Sequence, residues 1–319
     1  MTFKEFFNPR DVEDAIISHR WTNDEVSYQD YPQYLSGLRS GDGWTKILQA
    51  CRIARFAGYL WVWYDSCCID KRSSAELSEA IKSMYKWYAS SEVFYVFLSD
   101  VHPSEQDDCI APEGLLQQDL AHYQWPADET MPQVSKETRY SSPPSAGSAE
   151  SNVTTLHERF REREFQKSEW FTRGWTLQEL LAPACVYFFN SRFEYIGSRY
   201  DHKNLIAQTT GAHVACLGRR QYVHSASIGT RMIWASSRKT TREEDLAYCL
   251  FDVNMPLLYG EGQTNAFMRL QLELIRKSDD ETIFSWARQS TTFEIRGTYR
   301  WKGLLAQSPA DFGNSNVSK

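Results

Sequence analysis

Short apolar runs alternate with longer stretches whose apolar residues recur at helical spacing, and this alternation predicts the fold of the N-terminal part. Ala15 to Ser18 predicts a first strand, and Trp44 to Phe56 a helix with Ile47, Leu48, Cys51 and Ala54 on one side. Tyr59 to Tyr64 and Val93 to Leu98 are aromatic-rich runs of strand length. Between them Ser73 followed by Glu76 matches a capping box, and Leu77, Ile81, Met84, Tyr85 and Tyr88 line one helix face. Strand, helix, strand, helix, strand predicts an α/β fold with a mostly parallel sheet flanked by helices. Crossover helices make their strands parallel, so the residues after each strand gather at one carboxyl edge, where ligands of open α/β sheets bind. Thr22 to Gly43, a long polar loop at that edge, is expected to act as a lid.

Beyond the third predicted strand the pattern changes. Residues 102–152 turn to Pro, Ser, Glu and Asp, and Tyr140 to Ser151 is too poor in apolar side chains to order itself, so a flexible insertion is expected there. Leu156 to Phe165 reads as a charged helix, Trp175 to Leu181 as a helix stopped near Pro183, and Cys185 to Phe189 as a further strand. After Tyr200 the pattern is mostly helical, with Glu243 to Leu250 and Ala266 to Arg276 the strongest segments. The expected organisation is an α/β domain over 1–199 and a mostly helical C-terminal subdomain over 200–319.

Composition narrows the class. With 42% hydrophobic and 14% aromatic residues, 319 residues suffice for a substantial core. Thirty-five basic against 41 acidic side chains give a net charge of -6, which argues against nucleic acid or an anionic membrane as the main partner. No apolar stretch has the length of a membrane span and the N-terminus lacks a signal-peptide core, so a cytoplasmic protein is expected. The seven cysteines show no CxxC pairing, which fits reduced thiols and no structural metal.

Candidate chemistry collects at the predicted carboxyl edge. Ser18, His19, Arg20 and Trp21 follow the first strand, where the Arg20 fork suits a phosphate or carboxylate and Trp21 a stacking wall. Asp65 and Asp70 flank Cys67 and Cys68 after the second strand; they suit ribose hydroxyls, a helix cap or a basic side chain. A thiol nucleophile with His19 as base is opposed by those two acids, which raise a thiol pKa, so packing is the preferred role for the cysteines. Trp175 and Glu179, four residues apart on a helix, share a face on which an indole stacks on a planar ring and a carboxylate meets a sugar. The plainer alternative is a core tryptophan and a surface acid. Gly260-Glu-Gly262 lacks a third glycine and a preceding strand, and no GxxxxGK[ST] motif occurs, so neither a dinucleotide fingerprint nor a P-loop is supported.

Ile17-Ser-His-Arg-Trp21, the Tyr59 to Val101 run and Arg173-Gly-Trp-Thr-Leu-Gln-Glu-Leu180 together resemble the heterokaryon-incompatibility (HET) domain of filamentous fungi, over about Ile16 to Leu181. A fourth block, Asp245 to Gly262, resembles the segment that often follows that domain. The HET domain is similar to the TIR-like (flavodoxin-like) fold, whose NAD-cleaving members carry a glutamate shortly after a tryptophan in a comparable helix; Glu179 occupies that position. The resemblance implies an incompatibility effector that triggers regulated cell death on nonself recognition, through assembly-dependent cleavage of the glycosidic bond of NAD or NADP. Glu179 is then the catalytic residue, with Ser18, Arg20, Trp21, Asp65, Asp70 and Trp175 forming the pocket. NAD or NADP is substrate and no cofactor is implied. Self-association and a nonself-signal or nucleotide-switch protein are the implied partners, and a non-enzymatic interaction module is the alternative. Two departures stand out: a few residues are missing between Leu250 and Phe251, and the chain stops soon after Trp301-Lys-Gly-Leu-Leu305, which suggests a shortened form.

Overall fold

The computed structural model describes residues 3–6, 8–103, 162–218, 221–250, 255–287 and 303–313. The chain divides into two compact units, Met1–His102 with Phe165–Lys319 and Pro103–Glu164, and the first carries the whole sheet. The flexible insertion expected over 102–152 and the junction between Leu250 and Phe251 fall almost wholly outside the described residues; of the charged helix expected before Phe165, residues 162–165 are described and helical.

Five strands form the sheet: β1 (Asp14–His19), β2 (Trp61–Tyr64), β3 (Val93–Phe97), β4 (Val186–Phe189) and β5 (Tyr195–Ser198). Their order is β2-β1-β3-β4-β5, with β1 parallel to both β2 and β3, and β3 parallel to β4. This is the flavodoxin-like strand order, with its switch point between β1 and β3. The last strand was not expected: β5 runs antiparallel to β4 as a hairpin. Asn190 shapes that turn, its Oδ1 accepting the backbone N–H groups of Arg192 and Glu194 at 2.9 and 3.0 Å. Every residue of β3 is buried, because both faces of a central parallel strand are covered.

Alternation along the strands creates two cores. Ile16, Phe94, Val96 and Phe188 point to one face; Ala15, Ile17, Tyr64, Tyr95 and Phe97 point to the other. The second face is covered by α1 (Tyr31–Leu35) and α2 (Asp42–Phe56), through Tyr31, Tyr34, Ile47, Ala50 and Ala54. The Thr22 to Gly43 loop, expected as a lid, is instead part of that packing: Val26, Tyr31 and Tyr34 are buried in it. Its tether is Asp24, whose Oδ2 accepts the Gly43 N–H at 3.2 Å, and a Cβ on Gly43 would lie 1.8 Å from the Asp24 carbonyl oxygen.

On the first face, α3 (Ser74–Ser90) buries Met84 and Tyr88 of the predicted stripe together with Ala80, while Leu77, Ile81 and Tyr85 pack against the core partly buried. Ser73 caps it by accepting the Glu76 N–H at 3.3 Å, but the Glu76 carboxylate reaches back to the Asp70 N–H at 2.8 Å and so staples the preceding turn to the helix. The short α4 (Thr176–Leu181) lies on the same side and buries Leu177, Leu180 and Leu181. The C-terminal part supplies α5 (Lys203–Thr210), α6 (Val214–Gly218), α7 (Gln221–Ser225), α8 (Ile228–Ala235), α9 (Asp245–Tyr248) and α10 (Gln263–Lys277). Met232, Phe267 and Phe312 of this part share one core cluster with Ile16, Phe94 and Phe188 of the sheet, so no break in the apolar core falls near residue 199.

Candidate active site

Glu179 sits on α4, and its position depends on contacts at the start of the helix. Upstream, Thr176 Oγ1 donates to the carbonyls of Trp170 and Arg173 at 2.6 and 2.9 Å, locking the first turn onto the preceding segment. The buried Arg238, from the loop after α8, donates through Nη1 to Arg173 O and Thr176 Oγ1 at 2.7 and 2.8 Å. Lys239 continues the clamp: its N–H donates to Thr172 O and its carbonyl accepts the Gly174 N–H, each at 2.8 Å. Gly174 permits this approach, since a Cβ there would stand 2.4 Å from Thr240 Cγ2 and 2.8 Å from Cys249 Sγ.

This clamp brings Glu179 to the carboxyl end of β1. Ser18 Oγ donates to Glu179 Oε2, and Trp170 Nε1 donates to Ser18 Oγ at 2.7 Å. The indole that meets the serine is therefore Trp170, which sequence reasoning missed. Trp175, expected to stack on a planar ring beside Glu179, is the N-cap residue of α4, and its Nε1 donates to Asp245 Oδ2 at 3.4 Å, toward the C-terminal helices. Trp170 lies before the Arg173 to Leu180 motif, and only the fold brings its indole to Ser18.

Burial pushes the Glu179 carboxyl up to about 7; the Ser18 hydrogen bond opposes this, the Asp65 charge adds to it, and Arg173 and Arg238 pull the other way. A carboxyl held this way titrates near neutral pH with one oxygen fixed. Burial likewise lowers Arg238 to about 10.

The remaining predicted residues lie at the same sheet edge but in different bonding states. Trp21 Nε1 donates to Asp65 Oδ2 at 2.9 Å, and Trp21 is 40% exposed, so these two form the rim of the edge. Arg20 pairs with Glu169 at 2.6 Å with both side chains largely exposed, a contact of small energetic weight. Asp70 accepts from Gln29 Nε2 at 2.5 Å and from the Arg72 backbone and guanidinium at 3.0 and 3.3 Å, and the Arg72 bonds hold its carboxyl below the usual range. Asp70 thus holds a basic side chain, one of the roles anticipated for it, and the helix cap is Ser73 instead.

Strand alternation puts His19 on the face opposite Ser18. His19 Nε2 bonds Glu25 Oε2 at 3.0 Å, its ring stacks on Tyr64, and Lys46 Nζ donates to the other Glu25 oxygen. Burial would raise the Glu25 carboxyl, but the bonds from His19 and Lys46 prevail and hold it at about 2. Glu25 and Lys46 were also missed: Glu25 comes from a polar loop without a motif, and Lys46 is a polar position on the predicted Trp44 to Phe56 helix. With His19 committed to Glu25, a thiol at Cys67 or Cys68 lacks its base. Contact with Cys68 and burial push the Cys67 thiol well up, which agrees with a packing role. Six free cysteines are present among the described residues, which also contain no group of acidic, His or Cys side chains able to hold a metal ion.

Residues 15–179 match the family model of the heterokaryon incompatibility protein (HET). The vegetative incompatibility protein HET-E-1 of Podospora anserina is 37% identical over 270 residues, which is 83% of this chain and 16% of that relative. The chain therefore corresponds to a small part of that larger protein. No solved structure matches it. Among the described residues no helix is long and apolar enough to cross a membrane.

Proposed function

The chain belongs to the heterokaryon-incompatibility (HET) family, and from that premise we propose that it is an incompatibility effector whose α/β domain cleaves the nicotinamide glycosidic bond of NAD or NADP once assembled. The observation that carries this reading is Glu179: a part-buried carboxyl raised to about 7, anchored to Ser18 at the switch point of the sheet. Departure of neutral nicotinamide leaves positive charge on the ribose. An ionised carboxylate in a site of low polarity stabilises that charge more than it stabilises the bound substrate, and so lowers the barrier. Water then adds to the ribose carbon, and Glu179 is placed to accept the proton it releases. Ser18, held by Trp170, fixes Oε2 so that the carboxylate does not reorient during the step. Trp21 and Asp65 line the entrance and offer a stacking face and an acceptor for a sugar hydroxyl.

The test is release of free nicotinamide from NAD and NADP by purified protein, concentrated or forced to oligomerise. Wild type should release it and Glu179→Ala should not; equal background from both removes the basis for a hydrolase. One surface favours the second reading, a non-enzymatic interaction module: Met268, Leu272 and Ile275 form an exposed apolar stripe on α10. A folded Glu179→Ala chain that still kills cells on expression decides for that reading.

A further inference from the structure

Six buried side-chain atoms among the described residues lack a hydrogen-bond partner, and four of them belong to one corner: His19 Nδ1, Tyr64 Oη, Ser66 Oγ and Lys71 Nζ. Buried polar groups are satisfied almost everywhere in folded proteins, so four orphans at the ends of two adjacent strands call for a physical reason. His19, Tyr64 and Ser66 are all more than nine-tenths buried. The His19 and Tyr64 rings stack with centroids 4.3 Å apart. Lys71 Nζ lies 3.3 Å from the centre of the Trp21 ring and forms no ion pair among the described residues. Trp21 is in turn bonded to Asp65, the neighbour of Ser66.

We propose that this corner is an anion subsite, in which Lys71 with the Tyr64 and Ser66 hydroxyls receives the phosphate oxygens of a nucleotide. The donor inventory selects that chemistry. The ammonium offers three N–H groups and no acceptor, and the two hydroxyls donate freely, whereas a phosphate oxygen only accepts and carries the compensating charge. Glu25 on Nε2 leaves His19 Nδ1 as an acceptor on the neutral ring and a donor on the charged one. An unpaired buried ammonium weakens the fold, and an incoming phosphate removes that penalty.

The subsite rests on the hydrolase reading only for its second half, the path to Glu179. Ser18 and His19 are consecutive on β1 and face opposite sides; Trp21 follows them with Lys71 over its ring and Asp65 on its indole N–H, so the Asp65–Trp21 pair borders the phosphate corner at the sheet edge. A dinucleotide with its phosphates at Lys71 crosses this rim to present its far ribose to Glu179.

The experiment is a calorimetric titration of the full chain with ADP and, separately, with adenosine. Wild type should bind ADP at least about tenfold more tightly than adenosine, a preference that disappears in Lys71→Met and survives in Lys71→Arg. The Lys71→Met chain should melt at or above the wild-type temperature, since it loses an unpaired buried charge. Inorganic pyrophosphate should compete with ADP on the wild type, a readout that needs no variant. Equal binding of ADP and adenosine by wild type, absence of competition by pyrophosphate, or undiminished ADP preference in folded Lys71→Met would each overturn the subsite. Nicotinamide release plays no part in these measurements, so a chain that binds ADP through Lys71 but releases no nicotinamide overturns the hydrolase reading and leaves the subsite standing.

Discussion

Replacing Glu179 by glutamine should stabilise the protein in alkaline but much less in acidic solution, and the size of the effect follows from the titration of one group. The carboxyl has an ordinary value of 4.5 and is raised to about 7 in the fold. Between those values the folded chain holds a proton that the unfolded chain has released, so stability is complete below the lower value and falls as pH rises through the upper one. At 1.36 kcal/mol per pKa unit, ionising Glu179 costs the fold about 3 kcal/mol at a pH near 8 and about 1.4 kcal/mol near 5.5. Glutamine keeps the shape and still accepts the Ser18 hydroxyl through its carbonyl, but never ionises. Urea unfolding of both chains at the two pH values should therefore give a difference of differences of about 2 kcal/mol in favour of the variant at the higher pH. Other titrating groups, such as Glu25 with its carboxyl held at about 2, shift both chains alike and cancel. A gap between the two chains that stays constant from one pH to the other would refute the claim that Glu179 titrates in the neutral range.

The same titration predicts the pH dependence of catalysis: nicotinamide release needs the ionised carboxylate, so kcat should climb as pH rises through about 7 and then level off, and a flat profile argues against Glu179 as the titrating group. Gly174→Val should cost about 1–3 kcal/mol by pressing on Thr240 and Cys249, and should lower nicotinamide release as well because Gly174 leads directly into α4; thermal melting and activity report the two effects. Alanine at both Cys67 and Cys68 should leave nicotinamide release within a few-fold of wild type, and complete loss in a folded double variant would return the thiols to the mechanism.

Periodicity carried most of the fold into view. β1 to β4, α2, α3 and α10 follow from runs of apolar residues whose spacing has one structural meaning, as in the wholly buried Val93–Phe97. The hairpin strand β5 escaped because Tyr195–Ser198 has only Gly197 fully buried, which leaves no apolar alternation to detect. The Thr22 to Gly43 loop misled because its polar composition conceals Val26, Tyr31 and Tyr34, three apolar anchors at irregular spacing. At the site, Ser18, Asp65 and Trp21 were legible because strand ends converge on one sheet edge, and Glu179 through its helical spacing from Trp175 and the resemblance of the Arg173 to Leu180 block to the HET domain. Trp170 and Arg238 were not, since each acts through a contact across more of the fold than any local pattern encodes, and Glu25 was not, since a polar loop residue carries no periodic signal. Glu25 forms its pair through a loop turning back on β1, and Arg238 through a clamp spanning some sixty residues of sequence.

The clamp at Gly174 also sets an order of events during synthesis. Ser18 and Glu179 belong to the stretch that leaves the ribosome first, but Arg238 and Lys239 emerge about sixty residues after the helix they hold. Because the chain is made from its N-terminus, an unfinished molecule has its carboxylate on a single short helix turn with neither Arg173 nor Gly174 fastened. Helices this short do not persist in water without tertiary contacts. The Glu179 carboxylate thus acquires a fixed place only once the segment through Lys239 has been made, and a chain broken off before that point carries the carboxylate without the contacts that aim it.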